Sequence, residues 1–158
     1  MEKLRIKNND LYKIEVNDDG EYIEFDLSDI GLPYKCYEAL EKISNMEKEV
    51  LEEEKQLKEL VKNDKDPFSE NNKKMASFEL NTYKRMREIM DGFLGEGACQ
   101  KIFGDRNYPL MFDDLIKELT RKRPELNNKS HFDKMGFKAN IINQKIMNKY
   151  SKNKERMI

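Results

Sequence analysis

From Tyr34 to about Lys62 the apolar residues fall at Tyr37, Leu40, Ile43, Val50, Leu57 and Val61, set among Lys and Glu. Ile43, Val50 and Leu57 keep a seven-residue step, which brings them onto one line of a helix surface. Glu47 and Glu54 interrupt the companion line, so the stripe is narrow. This pattern predicts one long helix serving as an arm of a helical hairpin and not a strict coiled coil. Pro33 is placed to open it, and the run Asn63-Asp64-Lys65-Asp66-Pro67 to close it. A chain with such an arm must supply a second helix to cover the stripe. After Ser69, a capping residue type, Asn71 and Asn72 restart the chain. Met75, Phe78, Tyr83, Met86, Ile89, Met90 and Phe93 then follow helical spacing from about Lys73 to Leu94.

Flanking segments complete the expected fold. Leu11, Ile14 and Val16 alternate with charged residues, as do Tyr22, Phe25 and Leu27 or Ile23. The turn signal Asn17-Asp18-Asp19-Gly20 lies between the two runs. Leu4 and Ile6 could extend this hairpin to a three-stranded meander. Downstream, Phe112, Leu115, Ile116 and Leu119 share a helix face that starts near Pro109 and stops at Pro124. Phe137, Ile141, Ile142, Ile146 and Tyr150 mark a last helix over Asp133 to Lys152. The expected class is therefore mainly α (α+β), a β-hairpin or meander followed by four to five helices. No βαβ alternation is present, which excludes a doubly wound sheet.

With 158 residues, 37% of them apolar and 39% charged, the chain can bury one modest core. We expect a single domain over 1–120 and a basic helix and tail over 121–158. The net charge of −1 hides an asymmetry of −9 over residues 1–120 and +8 over 121–158. An acidic body with a basic end suggests an electrostatic contact, within the chain or with an anionic partner. No apolar run reaches membrane-span length, and the start MEKLRIKNNDLY has no signal-like apolar region. The expected location is the cytoplasm, with Cys36 and Cys99 as reduced thiols.

One stretch, "FLGEGACQKIFGDRN" from Phe93 to Asn107, concentrates glycines and a cysteine. A dinucleotide loop needs G-x-G-x-x-G between strand and helix, and here both spacing and context fail. A Walker loop needs a Gly-Lys-Ser/Thr ending, which is missing. The residues instead predict a helix cap at Gly95, a tight connection through Gly97, a short helix to Phe103 and a stop at Gly104. Cys99 near a helix start has the position of an activated thiol, but the chain's single histidine, His131, has no spacing relation to it. Cys99 therefore reads as a buried structural cysteine and His131 as a surface residue. Glu52-Glu53-Glu54 splay around a helix, and Asp113-Asp114 favour the dipole of a first turn. Both groups read as solvated faces. No catalytic residue, metal site or cofactor site is expected.

The same stretch, preceded by Met90-Asp91-Gly92, resembles the glycine corner of small tail assembly chaperones of phages and prophages of low-GC Gram-positive bacteria. Phe93, Gly95, Glu96, Gly97, Lys101, Ile102, Phe103, Gly104 and Asp105 carry the likeness. The resemblance implies a mostly helical, non-enzymatic protein of the host bacterial cytoplasm. It would bind the tape measure protein and tail-tube subunits during tail morphogenesis. Candidate partner-binding residues are Phe93, Leu94, Ile102, Phe103, Met86 and Met90. For Ile102 and Phe103 the bland alternative is core filling, and the Met75, Met86 and Met90 face reads as adaptable surface. Homo-oligomerisation is a further expectation. Alternative readings are a structural tail or baseplate-adaptor component, and a nucleic-acid-binding regulator using 121–158, where Phe132 and Tyr150 lie among lysines. Docking of the basic end on the acidic first helix is a third use of that segment.

Overall fold

The computed structural model describes residues 1–7 and 11–124, together with Lys138, Ile141 and Ile142. Among the described residues, two antiparallel strands, β1 (Leu11–Glu15) and β2 (Tyr22–Asp26), precede four continuous helices. These are α1 (Gly31–Val61), α2 (Glu70–Leu94), α3 (Ala98–Phe103) and α4 (Met111–Lys122). The chain is mainly helical with an N-terminal hairpin, as its patterning predicts.

The hairpin pairs Leu11 with Asp26 and Glu15 with Tyr22. Asn17 organises its turn: the side-chain Oδ1 accepts from the N–H groups of Asp19 (3.0 Å) and Glu21 (3.2 Å). In β2 the alternation is clean, with Ile23 and Phe25 buried while Tyr22 and Glu24 face solvent. Tyr22 is therefore an outward residue, and Leu27 and Ile23, which the sequence left as alternatives, are both buried. Leu11 is exposed as well, because Tyr12 and Ile14 share the face that leans on the core. The third strand is not formed: residues 1–7 hold no strand, with Leu4 and Ile6 in solvent. Their exposure leaves no buried area to offset the entropy of ordering them.

α1 begins at Gly31, ahead of the expected Tyr34, because Asp29 closes the preceding turn. Its Oδ1 accepts from Gly31 N at 2.8 Å and its carbonyl from Leu32 N at 3.1 Å. Pro33 sits within the first turn, where its missing N–H has no helical partner to lose. At 31 residues, α1 is about 45 Å long. Leu32, Cys36, Ala39, Ile43, Met46, Val50 and Leu57 form its buried line. α2 starts at Glu70 with Ser69 as cap, its Oγ accepting from Asn72 N at 3.2 Å. The two helices run antiparallel. Asn71 Nδ2 reaches Leu60 O at one end, and Arg85 pairs with Glu49 further along.

One continuous core fills the space between this helical hairpin, β2 and α4. Met86, Met90, Met111 and Phe112 are fully enclosed. Phe112 stacks on Tyr83 at 6.4 Å between ring centroids and meets Phe103 edge-on at 6.0 Å. The end of α4 is tied back to the hairpin by Arg123, whose guanidinium lies 4.2 Å from the centre of the Tyr12 ring.

Two acidic residues read as solvated are buried instead. Glu54 is 3% exposed and holds Lys58 Nζ at 2.8 Å, one helical turn on. Asp113 is 9% exposed and holds Lys117 at 2.9 Å. In each case the i,i+4 lysine reaches out to water and carries the carboxylate's charge partner with it.

The expected division at residue 120 falls within α4, which continues through Lys122. Of the last predicted helix, Lys138, Ile141 and Ile142 are helical. Ile142 is buried, and Lys138 Nζ lies 3.7 Å from Glu47 Oε2 on α1. This is the contact of basic end with first helix that the charge asymmetry allows. Phe132, Phe137, Ile146 and Tyr150 lie outside the described residues.

Packing of this kind has a clear mutational signature. Truncation of Met86 or Met90 to Ala is expected to lower unfolding free energy by about 2–5 kcal/mol, through lost burial and the cavity left behind. Leu51→Ala, at a site 38% exposed, should change it by less than about 0.5 kcal/mol. Urea unfolding of the three variants measures the difference.

Candidate functional site

The glycine-rich stretch folds as a corner clasped by the last turns of α2. Leu94 ends that helix, and Gly95 N donates to Asp91 O at 3.0 Å. Gly95 has φ +116° and Gly97 φ +75°, regions that side chains with a Cβ rarely adopt. Space is not the reason for glycine, since a Cβ at either would meet no atom within 4 Å. Backbone conformation is. The two glycines reverse the chain in three residues and so bring α3 back beside α2.

Two side chains on the polar edge of α2 fix this reversal. Asp91 Oδ1 accepts from Cys99 N at 2.9 Å, so α2 supplies the cap for the start of α3. One turn earlier, Arg87 holds the exit from α3. Its Nε donates to Asn107 Oδ1 at 2.8 Å and its Nη2 to Arg106 O at 2.7 Å, and the guanidinium lies 5.9 Å from the centre of the Phe103 ring. Both side chains approach peptide groups that a helix or loop end leaves without partners.

Cys99 is enclosed by this arrangement. It is 1% exposed, and its Sγ lies 3.7 Å from Arg87 O. Burial pushes the thiol far above its ordinary pKa, and the Asp91 carboxylate adds to the shift. The thiolate needed by a nucleophile is thus disfavoured, whatever the nearby helix start contributes. His131, the chain's single histidine, lies outside the described residues. Among the described residues no three His, Cys, Asp or Glu side chains are grouped to hold a metal ion.

The six candidate partner-binding residues divide by burial. Met86, Met90, Phe93 and Leu94 belong to the core. Ile102 and Phe103 are half-buried against it, with Tyr108 edge-on to Phe103 at 6.0 Å. Met75 is buried too, so the methionine face read as adaptable surface lies inside the helical hairpin.

What the corner does present is a groove. About 590 Å³ of open space separates it from the β-hairpin, bounded by residues 19–24 on one side and by 94–96, Ala98 and Lys101 on the other. Asn17 bridges the two walls, donating from Nδ2 to Lys101 O at 3.0 Å. Ile23, Leu94 and Ala98 supply apolar lining. Asp19, Glu21, Glu24 and Glu96 contribute four carboxylates against the single lysine, Lys101. A second cleft of about 370 Å³ lies between α1 and α2, but its Lys42 and Arg85 balance Glu49 and Glu88. The strong charge bias belongs to the first groove alone of these two. Its hairpin wall is invisible in sequence, because Asp19, Glu21 and Glu24 share no spacing motif with Glu96.

Two outcomes check the corner. Gly97→Ala should cost about 1–2 kcal/mol from backbone strain alone, and Asp91→Ala about 1 kcal/mol from the lost cap, both read by urea unfolding. The folded thiol of Cys99 titrates above its unfolded value of about 8.5, so the stability it confers is complete below that pH and declines above it. Tyr83, pushed up to about 12 by burial and then by Glu79, acts in the same sense at higher pH. Cys99→Ala should therefore flatten the loss of stability between about pH 8.5 and 10. An unchanged slope contradicts the assignment.

Comparison with known proteins adds a family. No curated protein and no solved structure matches the chain. Residues 19–157 match the group described as "Family of unknown function (DUF6673)". That span takes in β2, all four helices and the corner, and the chain belongs to this family of unknown function.

Proposed function

We propose that the chain is a non-enzymatic phage or prophage tail assembly chaperone, one that binds the tape measure protein, tail-tube subunits or both in the host cytoplasm. The observation that carries this reading is how the corner motif is used. Its apolar residues Phe93 and Cys99 serve the core, Leu94 serves both core and groove floor, and Gly95, Glu96 and Lys101 wall the groove. The stretch that carries the resemblance to tail chaperones therefore builds a concave, charged surface and encloses its one thiol. Concavity, an apolar floor and a charged rim suit a polypeptide segment better than a small metabolite. No described helix is long and apolar enough to cross a membrane.

The basic end has a use inside the molecule that competes with nucleic acid. Lys138 faces Glu47 of α1 and Arg123 stacks on Tyr12 of β1, while Arg121 and Lys122 pair with Glu118 of their own helix. This favours docking on the acidic body over a role as a nucleic-acid-binding regulator.

Co-expression with the tape measure and tail-tube proteins encoded alongside tests the proposal. A stable complex should co-purify, and the chain should be missing from finished particles. Retention in particles would make it a structural tail or adaptor component. Failure to bind either protein, with tails assembling after deletion of the gene, would overturn the reading.

A further inference from the structure

The hydrogen-bond alternation of the hairpin determines what the groove displays. Val16 N donates to Glu21 O at 2.9 Å, in the same register that pairs Ile14 with Ile23 and Tyr12 with Phe25. In an antiparallel ladder, bonded pairs alternate with non-bonded ones. Ile23 and Phe25 therefore turn their peptide groups toward β1, and Tyr22 and Glu24 turn theirs to the outer edge of β2. Among the described residues the sheet has two strands, and none of these residues adds a third at this edge. Both residues line the groove, and the glycine corner forms its opposite wall.

We infer that the outer edge of β2 takes an extended segment of a partner protein, added as a third strand, in which basic residues alternate with small apolar ones. Main-chain groups of Tyr22 and Glu24 supply the pairing. Side chains of an added strand alternate between the two faces. Those on the outer face come beside Tyr22 and Glu24 and within reach of the carboxylate rim, which selects Lys or Arg. Those on the inner face come beside Ile23, Leu94 and Ala98, which selects small apolar residues. Charge sets the sign: the groove's lining carries four carboxylates and one lysine. With Glu24 paired to Lys13 of β1 at 3.3 Å, the remaining acidic excess is carried by Asp19, Glu21 and Glu96. The chain's own basic end is engaged elsewhere where it is described, with Lys138 on Glu47 of α1. The inference rests on the groove being a partner site and not on the partner being a tail protein.

The test uses the full chain and a labelled peptide of about ten residues alternating Lys and Val, a length that spans one strand. Anisotropy should report binding that weakens with salt, and a Glu–Val peptide should not bind. N-methylation of alternate peptide amides, which keeps charge and removes donors on one edge, should abolish binding. Glu96→Lys should weaken it about three- to tenfold. Amide exchange at Tyr22 and Glu24 should be fast in the free chain and slow with peptide bound. No binding, equal binding of the N-methylated peptide, or unchanged exchange at these two amides would overturn the inference. Protection already present in the free chain would also overturn it, by showing that the chain itself or a second copy fills the edge. Co-purification with a tail protein while these amides stay unprotected would remove this inference and leave the proposed function standing.

Discussion

The antiparallel pairing of α1 with α2 is the interaction on which everything else rests. Ile43, Met46 and Val50 on one helix and Met75, Phe78, Met86 and Met90 on the other belong to a single buried cluster. Each such side chain contributes about 1.5–3 kcal/mol when fully buried. A two-stranded hairpin of five-residue strands is marginal alone, and a six-residue helix more so. β2, α3 and α4 are ordered because α2 gives them a surface. Ile23 and Phe25 close one side of the core, and Phe112, against Tyr83 and Phe103, closes another.

α2 then performs a second task with its polar edge. Arg87 and Asp91, one turn apart, satisfy peptide groups at the two ends of the corner and hold α3 against the helix that precedes it. That position brings Lys101 under the hairpin turn, where Asn17 donates to its carbonyl. The groove follows from this closure. One wall is a strand edge, the other a glycine loop, and the carboxylates of both converge on the same space. Chemistry at Cys99 is suppressed by the same packing that shapes the groove, since the residue that caps α3 also raises the thiol's pKa.

Much of the scaffold was legible in the residues. The seven-residue step of Ile43, Val50 and Leu57, the Ser69 cap and the stops at Gly95 and Gly104 are local signals, and local structure obeys them. Tertiary effects were not legible. Whether a methionine stripe is surface or core depends on what else the chain brings to it, and Met86 and Met90 share one buried cluster with residues of α1, β2 and α4. Glu54 reads as solvated in any helical wheel with three acids in a row, yet it lies inward with Lys58 as its outlet. The groove's rim could not be assembled from spacing, because Glu24 and Glu96 meet only after the corner has folded. Leu4 and Ile6 mislead in the opposite direction. Alternation is a necessary condition for a strand, and without a covering surface it is not sufficient.

The central claim is that the face shared by β2 and the glycine corner is where this chain meets its partner. Photo-crosslinking locates that face most directly, with a benzophenone side chain placed at Glu96 in one version and at exposed Glu52 of α1 in another. Both would be expressed with the tape measure and tail-tube proteins proposed as partners. The account predicts a covalent adduct with a tail protein from Glu96 and none from Glu52. Adducts from Glu52 with none from Glu96 would contradict it.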